Sequence, residues 1–118
     1  MPSRKPPIDF DAFLSLDIRA GVVVHAEPFP EARKPAVKLT LDFGEPVGRL
    51  SSSAQLTRRY APDDLLGRTL LAVVNFPPRR IAGFKSECLV LGVVNPDDGG
   101  DVVLVRPDDG DSVGWELG

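Results

Sequence analysis

Arg79, Arg80 and Lys85 lie close together in VVNFPPRRIAGFKSECLVLG, residues 73–92, where two apolar runs flank a short basic stretch. Guanidinium and ammonium groups at this spacing would hold phosphate or carboxylate oxygens, Arg through its planar fork and Lys as a point charge. A second basic group, Arg33, Lys34 and Lys38, lies in and just after the loop EARKP. Phe29, Phe76 and Phe84 stand near these cations, and each ring would stack on a base, pack an apolar peptide side chain, or simply fill the core. If the fold brings the two basic groups together, roughly three to six phosphate contacts would make binding fall steeply with salt.

Other chemistry finds little to work with. The one histidine, His25, is predicted on the outward face of a strand without convergent partners, so no catalytic triad or acid-base pair is assigned. Cys88 sits in an apolar run and reads as a small core residue, whereas reactive thiols occupy electropositive, partly open sites. One Cys and one His are too few ligands for a tetrahedral zinc site. Asp97, Asp98 and Asp101, and again Asp108, Asp109 and Asp111, lie among Pro and Gly and lack the bidentate Glu of a calcium loop, so both groups read as turns. No Gly-rich nucleotide-binding motif is present. Neither a catalytic residue, a metal nor a cofactor is expected.

The 118 residues are 42% hydrophobic, enough for one domain with its own core. The net charge of −3 argues against a general polyanion binder, yet the charge is unevenly spread. From Asn95 onward there are seven acidic residues against Arg106 alone, which leaves Arg79, Arg80 and Lys85 as the main cations of the second half. A single cysteine fits a reducing compartment, and no apolar run approaches the roughly 18 residues of a membrane span, so a cytoplasmic setting is expected. Residues 1–9 read as a flexible tail and 10–118 as a single domain.

The elements that must position the basic groups follow from periodicity. Phe10, Phe13 and Leu14 are spaced as one helical turn laid on a core, with Asp9 as its N-cap. Ile18, Ala20, Val22, Val24 and Ala26 alternate with Arg19, Gly21, Val23, His25 and Glu27, which predicts a strand with the first set inward. VKLTLDF places Val37, Leu39, Leu41 and Phe43 on one face of the next strand. A third strand around VGRLSSSA is expected to put Ser51–Ser53 near the surface, and APDDLLG reads as a short helix begun by Pro62 and ended by Gly67. RTLLAVVNF and ECLVLGVVN are apolar at nearly every position, as in strands covered on both faces, and DVVLVRP is a further strand. This order predicts an all-β chain: a five-stranded oligonucleotide/oligosaccharide-binding (OB-fold) barrel with a short N-terminal helix and a short helix between strands 3 and 4.

FDAFLSLDIR (10–19), AEPFPEARKP and SSSAQLTRRYAPDDLLGRTLLAVVNFPPRRIAGFKSECLVLG, in that order, resemble the tRNA-binding domain appended to some methionyl-tRNA synthetases and found alone in small tRNA-binding proteins. The likeness covers almost the whole chain and is closest to the CsaA branch of export-related chaperones. It implies an OB-fold, a homodimer, no enzymatic activity, and binding of unfolded or pre-export polypeptides, with tRNA as the alternative ligand. Peptide binding would fall to Phe29, Phe76, Phe84, Arg79, Arg80 and Lys85, and RNA binding to Arg33, Lys34, Lys38, Arg79, Arg80, Lys85 and Ser86. In the tRNA-binding relatives the segment around 84–91 reads SxGMLL; here Ser86 is kept, but Cys88 stands for Gly and Leu89 for Met. A side chain at 88 fills space that a glycine leaves open to close approach. A purely structural dimeric adaptor is the third class, binding neither ligand.

Overall fold

The computed structural model describes residues 3–118. A helix α1 (Phe10–Leu14) leads into the long strand β1 (Ile18–Pro28), followed by β2 (Val37–Asp42), β3 (Arg49–Ala54), helix α2 (Pro62–Leu65) and β4 (Thr69–Val73). The second half is cut into short pieces: β5 (Arg79–Ile81), β6 (Phe84–Ser86), β7 (Leu89–Val90), β8 (Gly92–Asn95) and β9 (Asp98–Leu104). Five of these make one antiparallel sheet in the order β3-β2-β1-β4-β7. The sheet curls until its two edge strands meet, where the amides of Glu87 and Cys88 donate to the Ser51 carbonyl at 2.8 and 3.2 Å. This is the predicted OB-type barrel, with α2 between β3 and β4 as expected.

The core forms where the period-2 pattern is cleanest. Val37, Leu39, Leu41 and Phe43 are all buried, joined by Leu56, Leu65 and Leu70. Each contributes about 1.5–3 kcal/mol by leaving water. The Phe43 ring lies directly over Gly21, where an added Cβ would stand 2.6 Å from the ring. Glycine is therefore required there by the close approach of the ring to the backbone.

Several expectations are corrected. In β1 Ile18 and Ala20 are buried, but of the three valines only Val23 enters the core cluster; Val24 is exposed and Val22 only half-buried. Gly21 and Val23 thus share the core-facing side, and a bulge between Val23 and His25 adds a residue to β1 opposite β2, which returns Ala26 to the core. In β3 the middle serine, Ser52, points inward and is 1% exposed, because Ser51 and Ser53 are the members of that strand that face the edge. The α1 face lies on no core: Phe10 and Leu14 are largely exposed, and Asp9 caps through no side-chain bond. ECLVLGVVN does not form one covered strand but bends at Leu91, whose amide bonds Leu71 while its carbonyl receives the Val105 amide. Beyond that bend Val93 and Val94 are exposed on the separate β8–β9 hairpin.

Candidate binding groove

The basic stretch of residues 79–85 folds as a hairpin, β5 against β6, with register Arg79↔Ser86, Arg80↔Lys85 and Ile81↔Phe84. Its two-residue turn is Ala82-Gly83, both at positive φ (48° and 81°), the arrangement that matches the natural twist of a tight hairpin. Ala82 pays a steric penalty of about 1–2 kcal/mol for that conformation. Since alternate residues face opposite sides, Arg80 and Lys85 share one face of the hairpin and Arg79, Ile81, Phe84 and Ser86 the other.

Arg79 and Ile81 turn toward a groove of about 580 Å³. Its other walls are Arg33 and Lys34 from the β1–β2 loop, Ser53–Leu56 at the end of β3, Leu89–Gly92, and Val94 with Val102 from the β8–β9 hairpin. A smaller hollow of about 180 Å³ opens beside it, sharing Ser53, Arg79, Ile81 and Leu89 and adding Phe76, Ser86, Glu87 and Cys88. The residues singled out from sequence thus separate into three environments. Arg33, Lys34, Arg79, Phe76 and Ser86 line the groove or its annex. Arg80 and Lys85 stand exposed on the far face of the hairpin.

Phe29, Phe84 and Lys38 form the third group. Phe29 is 3% exposed and meets Phe84 edge-on at 5.4 Å between centroids. The Lys38 ammonium sits over both rings, 4.7 Å from Phe29 and 5.2 Å from Phe84. Lys38 is therefore engaged in a cation–π contact, and Phe29 braces the hairpin from behind rather than offering a ring to a ligand. Sequence reasoning missed Ile81, Leu89 and Gln55 as groove residues; the alternation of the hairpin would have found Ile81 once its turn was recognised.

The electrostatics favour an anionic or acidic visitor. Among the described residues Arg33, Lys34, Arg79, Arg80 and Lys85 make no ion pair with a carboxylate. Arg80 and Lys85 face each other directly across the hairpin, a like-charge pairing that costs stability unless an anion bridges it. Cys88, at the floor of the annex, is 5% exposed, and burial pushes its thiol up to about 12. It stays protonated and acts as an apolar wall. His25 is exposed on β1, 3.5 Å from Glu27, and is not among the residues lining the groove.

This concave, partly apolar face with a cationic border invites comparison with known proteins. The tRNA_bind family model, a tRNA binding domain, matches residues 18–115. The chain belongs to this tRNA-binding domain family. Among solved structures it is similar to the chaperone CsaA from Bacillus anthracis str. Ames, with 54% identity, a TM-score of 0.89, and coverage of 96% of this chain and 100% of that one. CsaA from Picrophilus torridus gives 42% identity and a TM-score of 0.86, covering 95% and 100% of the two chains. Among curated relatives, the methionine–tRNA ligase of Methanothrix thermoacetophila is 36% identical over 105 residues, which is 89% of this chain but 15% of the ligase. The chain thus spans about a seventh of such ligases, and the resemblance to the CsaA branch of the family holds in sequence and in fold.

Proposed function

We propose that this protein is a non-enzymatic chaperone of the CsaA type, which holds unfolded or pre-export polypeptides in the cytoplasm. The observation that carries this reading is the groove, where Ile81, Leu89, Val90 and Val94 supply apolar surface and Arg33, Lys34 and Arg79 a cationic border. Such a site suits extended segments that mix apolar and acidic side chains. Residues 10–118 act as the working domain and residues 3–9 as a tail; residues 1 and 2 of the expected tail lie outside the described residues. Phe76 contributes to the apolar side of the site, Phe84 holds the hairpin in place through Phe29 and Lys38, and Arg80 and Lys85 meet acidic flanks of the client from the hairpin's outer face.

A homodimer fits the exposed apolar side chains at the two ends of the chain: Ile8, Phe10 and Leu14 around α1, and Trp115 and Leu117. The carboxy-terminal segment runs along the start of β1, with the Leu117 amide bonded to the Ile18 carbonyl, which places it next to the end of α1. Two copies would double the sites and raise weak single-site affinity. Calorimetry with a reduced, unfolded protein should give micromolar binding, about −8 kcal/mol. No heat at protein concentrations well above that range defeats the proposal.

A second reading has its own support. The family is a tRNA-binding one, and the unpaired Arg80, Lys85, Arg33 and Lys34 would track a phosphate backbone. On this reading tRNA affinity falls steeply between two salt concentrations, and the double variant Arg80→Ala with Lys85→Ala flattens that slope. A flat response in the parent protein removes RNA as a ligand.

A further inference from the structure

Beside the main groove lies the hollow of about 180 Å³, and the two meet along Ser53, Arg79, Ile81 and Leu89, which border both. Phe76, Pro77, Ile81, Cys88 and Leu89 give the hollow a mainly apolar lining, and Phe76 and Leu89 are nearly half exposed around it. Its polar members are largely engaged within the chain. The Ser53 amide donates to the Ser86 hydroxyl oxygen at 3.1 Å, and Glu87 Oε1 accepts the Ser51 amide and hydroxyl at 3.1 and 3.0 Å. Arg79 is the exception, since no acid pairs with it among the described residues. Size is the second constraint. An apolar cavity of about 150 Å³ accepts a benzene ring, and an indole, with nine ring atoms to six, would need roughly 225 Å³ on that scale. The hollow falls between the two.

We propose that the hollow is an anchor subsite: it takes one aliphatic or phenyl side chain of the client, leucine or phenylalanine rather than tryptophan, and Arg79 takes an acidic side chain within two residues of that anchor. An apolar side chain is the occupant that this lining favours, because it leaves water without asking for hydrogen bonds. Charge then places the acid. Glu87 repels a carboxylate inside the hollow, whereas Arg79, at the junction with the groove, attracts one, and Arg33 and Lys34 line the same groove. An extended chain rises about 3.3 Å per residue, so two residues carry the client from a filled hollow to the guanidinium at its border. The inference rests on the polypeptide reading of the groove and names the short element that a client must carry.

The test uses the full chain, a fluorescein-labelled, reduced and unfolded protein as the bound client, and glycine-serine peptides as competitors. Each competitor carries one variable residue, alanine, leucine, phenylalanine or tryptophan, two positions before a single glutamate. Leucine and phenylalanine should compete about tenfold better than alanine and about fivefold better than tryptophan. Phe76→Ala, which alters the hollow and leaves the lining of the main groove intact, should bring leucine within about threefold of alanine. Arg79→Gln should remove the advantage of the glutamate peptide over its glutamine counterpart while keeping the order of the anchors. Phe76 and Arg79 are both exposed, so each variant should fold as the parent does. Competition that rises steadily with apolar size through tryptophan, or that ignores Phe76→Ala, overturns the anchor subsite and leaves the chaperone reading in place. A client that binds while no peptide displaces it at millimolar concentration has the same meaning. A client that does not bind at all overturns both.

Discussion

Two arginine pairs, Arg58-Arg59 and Arg79-Arg80, look alike in sequence and differ entirely in the folded chain. The first follows β3 and is answered by acids of the β8–β9 hairpin: Arg58 pairs with Asp98, and Arg59 grips Asp101 through two bonds at 2.5 and 3.0 Å. Asp101 also receives the Asn95 amide. The second pair lies on β5 with no carboxylate against it among the described residues. One pair spends its charge holding a wall of the groove in place; the other meets no acid of its own chain among the described residues. A basic residue is thus informative about ligands only after its internal partner has been sought, and here that partner lies about forty residues further along the chain.

The contrast can be broken or sharpened in four ways. The largest effect should come from reversing the free pair: Arg79→Glu with Arg80→Glu should weaken binding of an acidic-apolar peptide by on the order of a hundredfold, since hydrogen bonds to charged groups contribute roughly 1.5–3 kcal/mol each. Anisotropy titration measures this, and the melting temperature should stay within about 2 °C. Next, the hairpin that displays the free pair should gain stability from Ala82→Gly. Relief of the left-handed strain, about 1–2 kcal/mol, exceeds the entropic cost of glycine, about 0.5–1 kcal/mol, for a net gain near 0.5 kcal/mol in urea unfolding.

The bonded pair should behave in the opposite manner. Arg59→Ala should lower the melting temperature by a few degrees at most, as for exposed ion pairs, and leave peptide affinity within about threefold. The smallest effect is one of pH. The bond from Arg59 holds the Asp101 carboxyl down, to about 2 against an ordinary 3.8. A depressed carboxyl stabilises the fold fully above its unfolded value and loses that contribution as pH falls toward 2. The difference in urea midpoint between the parent protein and Asp101→Asn should therefore be present at pH 6 and shrink to nothing near pH 2. A difference that persists there would separate the pair from the stability of the fold.

How much of this was legible in the residues depended on whether a pattern ran uninterrupted. VKLTLDF placed Val37, Leu39, Leu41 and Phe43 correctly because nothing in β2 breaks its alternation. The β1 pattern misled at Val22–Val24 because three valines in a row carry no alternation to fix which one faces the core, and the bulge after Val23 that realigns Ala26 leaves no mark among them. The hairpin was hidden for a related reason. Ala82-Gly83 lacks the Asn or Asp that usually marks such a turn, so RRIAGFKS read as a basic loop and the opposite facing of Arg79 and Arg80 went unseen. Phe29 and Lys38 were picked for residue type, yet they pack on one another and on Phe84.

Cys88 leaves a practical legacy. With its sulfur enclosed and its proton firmly held, the native protein presents no competing thiolate to maleimide or iodoacetamide reagents. A cysteine introduced at an exposed position such as Gln55 would take a fluorophore or spin label alone, giving a probe at the mouth of the groove without first removing the natural thiol.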